Sequence, residues 1–183
     1  MQSPDLSQGS CLESFAVKWA AVRLGAKRQI VAQEDICADE FILLSGSLSS
    51  TICDPDGKEV CVGLFVGPCV VTPNIARTRT GQSVVSITAT TDAQIARINS
   101  DLLTQLMIAS EPIRNWANGV LRDALNQKAD REWCLAALGG SDRLMWFRET
   151  YPGYEDIFNH ALIASFLGVT PVTLSRLRHG GSH

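Results

Sequence analysis

The spacing of hydrophobic residues changes twice along the chain. From Leu12 to Leu24 they recur at helical intervals, and Gly25 is suited to end that helix. From Arg28 to about Ile98 they fall into short β-rich runs, and from Ser100 onward the helical spacing returns. The pattern therefore predicts an N-terminal helix, a β-region and a helical C-terminal region.

The β-region consists of short runs separated by turn residues. Six runs favour strands: QIVA, FILLSG, LSSTIC, EVCVGLFVG, SVVSITAT and AQIARI. The clearest turn is Asp54-Pro55-Asp56-Gly57, where Pro sets φ and Gly supplies a positive φ, as in a hairpin loop. Short strands with turns at intervals of roughly 8–12 residues favour a sandwich or a barrel.

The first helices after the β-region carry a hydrophobic stripe. We predict a helix over Asp101–Ala109 and a second from a Ser110 cap to about Lys128, with Pro112 near its start. The stripe fits a helix packed on its own domain or one paired with a second copy, and the register is too short to decide. Four positions would face the second copy: Leu106, Ile113, Trp116 and Val120.

Two shorter helices are predicted next. Asp130–Leu138 would form a separate helix that ends at Gly139-Gly140, a pair that is also the natural candidate for a hinge. Ser141 or Asp142 could cap the following helix, which runs from Arg143 to Tyr151.

The stretch LIASFLGVTPVTLSRLR, residues 162–178, predicts two helices joined by a sharp turn. One helix covers Ala161–Leu167 and Gly168 permits the turn. Thr170 is a good N-cap, and Pro171 suits the first position of a helix that runs to about Arg178. Such a pair is a helix-turn-helix. Its apolar residues would pack inward: Ile163, Ala164, Leu167, Val169, Leu174 and Leu177.

The outer side of the second helix could contact DNA. Hydroxyls and backbone N–H groups at a helix N-terminus bind phosphates, and Arg can pair with guanine O6 and N7. The candidates are Thr170, Val172, Thr173, Ser175, Arg176 and Arg178. The same pattern also fits a helical hairpin whose arginines are merely solvated.

Composition narrows the function without fixing it. The 183 residues carry a net charge of −3 and are 45% hydrophobic, as expected for a globular protein of one or two domains. The acidic balance does not favour a nucleic-acid partner, but Asn159–His183 contains Arg and His and no acid.

Reactive side chains form no recognised catalytic or metal-binding motif. The six cysteines include no C-x-x-C pair and have no neighbouring His, so we expect reduced thiols and no metal. No Ser/His/Asp set or P-loop is present, and His160 is expected to be a helix cap or a surface residue, so we predict no enzyme. Neither a signal peptide nor a membrane span is predicted, which favours a cytoplasmic protein.

Three segments, in order, resemble the Crp/Fnr superfamily of bacterial transcription regulators. CADEFILLSGSLSSTICDPDGKEV resembles the entry to that family's β-roll, and the helix with Pro112 near its start resembles the dimerisation helix. SDRLMWFRETYPGYEDIFNHALIASFLGVTPVTLSRLRH resembles the DNA-binding domain, closest to a short-tailed subgroup that reads IASYLGITPETLSRIR. The resemblance covers about residues 27–179 and is most specific over Ile163–Arg178.

The resemblance implies an α+β fold in three parts. Residues 1–99 would form an N-terminal helix and a jelly-roll-like β-roll, residues 100–128 the long dimerisation helices, and residues 129–183 a helix-turn-helix domain. Thr173 and Arg176 match positions that contact DNA backbone and base. Pro171 and Val172 replace an Arg and a Glu of a well-studied member, so the operator should differ. The β-hairpin wing that usually follows the recognition helix is missing from the sequence.

The resemblance also indicates what the β-roll does not bind. Cyclic-nucleotide binders of the family carry Gly-Glu and, further on, Arg-Ser/Thr. Here Pro68 stands in place of the Glu, and Gln82-Ser83 or Ser83-Val84 stands in place of Arg-Ser. A buried phosphate needs a charged partner, so cyclic AMP is not expected to be the natural ligand.

Other effectors stay open. The candidate ligand residues are Arg77, Arg79, Gln82 and Ser83, although each arginine could equally be a solvated loop residue. An apolar effector, or none, is equally compatible. Cys11 alone cannot supply an iron–sulfur cluster, and no residue specifically indicates haem.

The expected function is a homodimeric regulator that binds double-stranded DNA at a roughly palindromic site. Its other partners would be RNA polymerase and an unknown small-molecule effector. The alternative is a regulatory module whose β-roll binds a ligand or a partner protein while the C-terminal helices only pack.

Overall fold

The computed structural model describes residues 15–180 and begins with a β-domain. Its elements are β1 Ala20–Leu24, β2 Gln29–Val31, β3 Asp39–Ser45, β4 Ser47–Cys53, β5 Glu59–Val66, β6 Cys69–Val71, the short helix α1 Asn74–Arg77, β7 Thr78–Arg79, β8 Gln82–Ser83, β9 Ser86–Ala89 and β10 Ala93–Asn99. Two antiparallel four-stranded sheets, in the orders β1-β10-β3-β6 and β2-β9-β4-β5, face each other, and β7 and β8 form a separate ribbon. The predicted β-roll is confirmed.

The β-roll closes over a core of aliphatic side chains from both sheets. Leu43 on β3, Leu48 on β4 and Ile87 on β9 are fully buried there. Burial alternates along β10, as expected for a strand with one face toward the core. The predicted hairpin at 54–57 is also confirmed, because Gly57 has φ +80 and donates its N–H to the Asp54 carbonyl over 2.9 Å.

The predicted N-terminal helix from Leu12 to Leu24 extends too far, because among the described residues only Phe15 and Ala16 are helical. Residues 12–14 lie outside the described range, and Ala20–Leu24 is strand β1, paired with β10 from Ala20↔Arg97 to Leu24↔Ala93. Gly25 therefore follows a strand rather than capping a helix. Phe15 and Trp19 pack edge-on against Trp116, so their helical spacing reflects packing on a later helix.

The C-terminal region is helical throughout. Its elements are α2 Ser100–Ala109, α3 Glu111–Ala137, α4 Gly140–Thr150, α5 Tyr154–Ile157, α6 His160–Phe166 and α7 Pro171–Gly180. The fold is thus α+β, with a β-roll followed by a long helix and a cluster of short helices.

The long helix α3 does not end where the sequence predicted. Its 27 residues continue through Lys128, so the predicted separate helix Asp130–Leu138 is wrong, and the predicted domain boundary at residue 128 falls inside α3. Residues 125–130 are all exposed. The hydrophobic stripe stops there because this part of the helix is exposed among residues 15–180, while Gln, Lys and Ala keep the backbone helical.

The joint between α3 and α4 is held by one arginine. Gly139 is the N-cap of α4, so the predicted caps Ser141 and Asp142 lie within its first turn instead. Arg143 donates hydrogen bonds to the carbonyls of Leu135 at 2.8 Å and Leu138 at 3.0 Å. These bonds satisfy carbonyl groups at the C-terminal end of α3.

Candidate DNA interface and effector cavity

The helices α6 and α7 meet at a sharp turn, as the sequence predicted. They are bent by 97° relative to each other. Gly168 between them has φ +66, a left-handed conformation that favours glycine. Thr170 caps α7 by accepting the Thr173 N–H over 3.1 Å, and Asn159 caps α6 in the same way by accepting the Leu162 N–H over 2.9 Å.

The inward side of the pair packs as predicted. Ile163, Ala164, Leu167 and Leu174 are buried, and Val169 and Leu177 pack against them. Aromatic residues from α4 and α5 complete this core. The turn geometry is therefore fixed by hydrophobic packing beneath it.

The outward side of α7 exposes three of the candidate DNA contacts. Thr170, Val172 and Arg176 are exposed, with Val172 at 61%. Thr173 and Ser175 are half-buried, and the Thr173 hydroxyl lies 2.9 Å from that of Thr170. The surface at the start of α7 thus combines hydroxyl groups, one apolar side chain and one exposed guanidinium group.

The remaining candidate, Arg178, is half-buried and has partners within its own chain, and its predicted DNA contact stays a prediction. Its Nε lies 2.8 Å from Glu155 Oε1, and its Nη1 donates to His160 Nδ1 over 3.1 Å. Glu155 also pairs with Arg148 at 2.6 Å. The hydrogen bond from Arg148 is the main reason that the pKa of Glu155 lies below its usual value.

His160 connects the two helices. It is the first residue of α6, whose N-cap is Asn159, so of the two predicted roles, helix cap or surface residue, the cap does not apply, and its side chain is half-buried. Because Arg178 can only donate, Nδ1 of His160 must accept, and Nε2 then carries the proton and donates to the Pro171 carbonyl over 2.9 Å. The neutral imidazole therefore satisfies both contacts.

Arg77 is a buried structural residue rather than a solvated loop arginine. Its side chain is 0% exposed and stacks over the Phe41 ring at 5.1 Å. The guanidinium donates to the backbone carbonyls of Thr72 and Asp39 and lies 3.7 Å from Glu40. Burial raises the pKa of Glu40 despite the opposing effects of the Asn74 N–H and Arg77.

The other three candidate ligand residues do not gather around a cavity. Arg79 and Gln82 are exposed and pair across the β7–β8 ribbon. Ser83 is buried, and its hydroxyl donates to the Val85 carbonyl over 2.7 Å. In the segment where the resemblance predicts a phosphate-binding site, no described residue is a buried cation that lacks hydrogen-bond or ion-pair partners.

A cavity of about 770 Å³ instead lies between the β-roll and α3. Its roll wall comprises Ile52, Val62, Gly63, Leu64, Phe65, Cys69, Val70, Thr72, Pro73, Ala76, Val84 and Val85. Its helical wall comprises Val120, Asp123, Ala124, Gln127, Lys128, Arg131, Glu132, Leu135, Ala136, Tyr151 and Phe166. The sequence did not reveal this cavity, because its walls come from segments that only the fold brings together.

The four predicted dimer residues all have contacts within their own chain. Leu106 and Trp116 pack on a small core that contains Ile113, which is only 5% exposed, and Val120 lines the cavity. Large apolar side chains on α3 that do face outward are Leu125, 53% exposed, and Trp133, 55% exposed. These four residues therefore contact their own chain, and their pairing with a second copy stays a prediction.

The β-roll contacts the α6–α7 pair directly. The Cys61 N–H on β5 donates to the Ser165 hydroxyl on α6 over 2.8 Å. Arg131 on α3 donates to the carbonyls of Cys61 at 3.1 Å and Phe166 at 3.0 Å, and it stacks over the Phe166 ring at 4.7 Å. One arginine therefore joins the β-roll, the long helix and the turn.

Neither a cluster of metal ligands nor a single helix able to span a membrane occurs among the described residues. No group of three or more His, Cys, Asp or Glu side chains there could hold a metal ion, and Cys11 lies outside the described range. Within residues 15–180, α6 and α7 reach the length and hydropathy of a membrane span only as a bent pair, and no single helix does.

Comparisons with known proteins agree with this architecture. Residues 21–110 match the cyclic nucleotide-binding domain model. FixK2 from Bradyrhizobium japonicum is 14% identical with a TM-score of 0.75, over 88% of this chain and 83% of that one. CLP from Xanthomonas campestris, a c-di-GMP-responsive global regulator, is 18% identical with a TM-score of 0.74, over 94% and 90%.

A third solved structure, from Eubacterium rectale, is assigned to the Crp/Fnr family of transcriptional regulators. It is 17% identical with a TM-score of 0.70, over 93% of this chain and 82% of that one. No curated protein matches the chain by sequence. At these identities the structural likenesses establish the fold. The resemblance is thereby confirmed at the level of the fold: residues 21–110 match the cyclic nucleotide-binding domain model, and the chain has the fold of these solved regulators.

Proposed function

We propose that this protein is a cytoplasmic transcription regulator that binds DNA as a homodimer through α7. The observation that carries the proposal is the exposed start of α7, where Thr170, Val172 and Arg176 face outward from a buried, glycine-turned helix pair. A helix presented in this way fits the major groove, and an arginine there can pair with guanine. No catalytic role is proposed.

Dimerisation would use the outward side of α3. Leu125 and Trp133 are separated by eight residues, about two helical turns, and both leave large apolar area exposed. Two copies paired along this side would present two α7 helices to half-sites about 34 Å apart. Leu106, Ile113 and Trp116 would then support the helix from within each chain.

The cyclic nucleotide-binding domain would act as the effector domain, without the phosphate-binding cassette. Pro68 and Gln82 replace the residues that would hold ribose and phosphate, and Arg77 is engaged by backbone carbonyls. We therefore propose that the regulator responds to a ligand other than cyclic AMP. Ligand binding would shift the placement of α7 relative to its partner.

The test is a selection of DNA by the full-length protein. The protein is incubated with random double-stranded DNA at physiological salt, and the retained fraction is sequenced. We expect the retained DNA to share a two-fold symmetric motif. Arg176→Ala should abolish this selection, whereas the control Arg28→Ala, which removes an exposed arginine of the β-roll, should keep it. A folded dimer that retains no motif, with and without added cyclic nucleotide, would instead support a regulatory module that does not bind DNA.

A further inference from the structure

We infer that the cavity between the β-roll and α3 binds an uncharged, predominantly apolar small molecule. The inference rests on the proposed function in one respect only: that the bound molecule is the effector of the regulator. The inferred ligand class differs from the cyclic nucleotides that the domain match suggests.

The roll wall of the cavity provides the first argument. Every described residue that this wall contributes is uncharged, and most are aliphatic, with Phe65 as the aromatic member. A phosphate placed against this wall would lose its water without gaining a charged partner. Burial of an unpaired charge is strongly unfavourable, whereas burial of apolar area is favourable.

The nearest buried cation of the roll cannot turn toward the cavity. Arg77 is fully enclosed and holds α1 to β3 through the carbonyls of Thr72 and Asp39. Moving it would leave the largely buried carboxyl group of Glu40 without its cation. Arg77 therefore cannot become a phosphate partner by a simple side-chain rotation.

The helical wall does not favour a charged ligand either. Its charged residues are two acids and two bases: Asp123, Glu132, Lys128 and Arg131. Arg131 already donates to the carbonyls of Cys61 and Phe166, and turning it toward a ligand would break these bonds between α3, the β-roll and α6. An anion on this wall would meet two carboxylates, and a cation would meet two bases.

The size and remaining polar groups of the cavity suit a small amphiphile without charge. Its 770 Å³ lies within the roughly 300–1,000 Å³ of ordinary ligand sites. Burial raises the pKa of Tyr151 to about 12, so the phenol stays neutral at physiological pH. Tyr151, Thr72 and Gln127 are the uncharged polar side chains of the lining, and each type can hydrogen-bond a ligand hydroxyl or carbonyl group.

The first experiment uses the full-length protein and the fluorescent apolar probe N-phenyl-1-naphthylamine. The probe is titrated into the protein, and 1-decanol, decanoate, cyclic AMP and c-di-GMP are then added as competitors. We expect saturable probe binding that 1-decanol reverses at concentrations at least tenfold lower than decanoate. The two cyclic nucleotides should not displace the probe. Displacement by a cyclic nucleotide, or by decanoate as readily as by 1-decanol, would overturn the inference.

A cavity-filling variant locates the probe. Ala124→Phe places a ring inside the helical wall, and Ala109→Phe places the same ring on the exposed end of α2 as the control. Ala124→Phe should weaken probe binding at least tenfold, whereas Ala109→Phe should leave it unchanged. Equal binding by both variants would place the probe elsewhere and contradict the inference. Ala76→Phe fills the cavity from the opposite wall if Ala124→Phe does not fold.

The two proposals fail separately. A protein that selects a DNA motif but does not bind the probe in the cavity would overturn only the ligand class. A protein that binds the probe there but selects no DNA motif would overturn the proposed function and leave the ligand class standing.

Discussion

The Ser165 hydroxyl on α6 accepts a hydrogen bond from the Cys61 N–H on β5 over 2.8 Å. These residues are 104 positions apart in sequence, and their contact joins the edge of the β-roll to the first helix of the helix-turn-helix. Cys61 also packs in the same hydrophobic cluster as Ile163 and Leu174. The β-roll and the C-terminal helices therefore share one core along this edge.

Ser165→Ala should destabilise the protein by about 1–3 kcal/mol, because the Cys61 N–H would be buried without an acceptor. The measurement is the free energy of unfolding from urea titration. Ser141→Ala, at an exposed position in the first turn of α4, is the matched control and should change this free energy by less than about 0.5 kcal/mol. Equal effects of the two variants would show that the hydrogen bond contributes nothing.

Arg77→Met should destabilise the protein by about 3–5 kcal/mol, because it leaves the Glu40 carboxylate buried without its cation. The double variant Arg77→Met/Glu40→Gln removes both charges, so it should be more stable than Arg77→Met alone. Urea titration of the two variants checks this order. A double variant less stable than the single one would indicate that Glu40 is held by the Asn74 N–H rather than by Arg77.

Glu155 should contribute to stability at neutral pH and lose that contribution in acid. Its folded pKa is lowered from 4.5, chiefly by the Arg148 hydrogen bond. A depressed pKa stabilises the folded state above the unfolded value, and the effect disappears as the pH falls through the folded value. The urea midpoint of the wild type should therefore be higher than that of Glu155→Gln at pH 7, and the two midpoints should converge below pH 4.5. A difference that grows on acidification would contradict this assignment.

Gly168→Ala should be less stable than Gly139→Ala. Gly168 has φ +66, and an added Cβ would lie 3.2 Å from Arg143 Nη1 and from Leu135 Cδ2. The left-handed conformation alone costs a non-glycine residue about 1–2 kcal/mol. Gly139 has φ −75, and an added Cβ would meet nothing nearer than Asp142 Oδ2 at 3.8 Å. Thermal unfolding of the two variants checks the order, and equal midpoints would contradict it.

The α6–α7 pair could be predicted because its signals are local. Gly168, Thr170 and Pro171 each determine the backbone within a few residues, and the inward hydrophobic positions lie on two short helices. The hairpin that ends at Gly57 was predictable for the same reason. No distant contact was needed to specify either turn.

Two of the wrong sequence predictions, at Ala20–Leu24 and at Arg77, came from contacts between distant segments, and a third came from a missing local pattern. Ala20–Leu24 has a helical pattern, but pairing with β10, more than 65 residues later, makes it a strand. The end of α3 was misplaced because its exposed middle lacks a hydrophobic stripe, although its backbone stays helical. Arg77 looked like a loop residue because its partners on β3 lie far away in sequence.

The continuity of α3 has a mechanical consequence. At 1.5 Å per residue, its 27 residues form a rod roughly 40 Å long. Arg143 fastens its far end to the turn of the helix-turn-helix by donating to the Leu135 and Leu167 carbonyls. A tilt of about 5° around the N-terminal end of this rod would displace its far end by roughly 3.5 Å, and the Arg143 bonds would pass that displacement to the C-terminal end of α6.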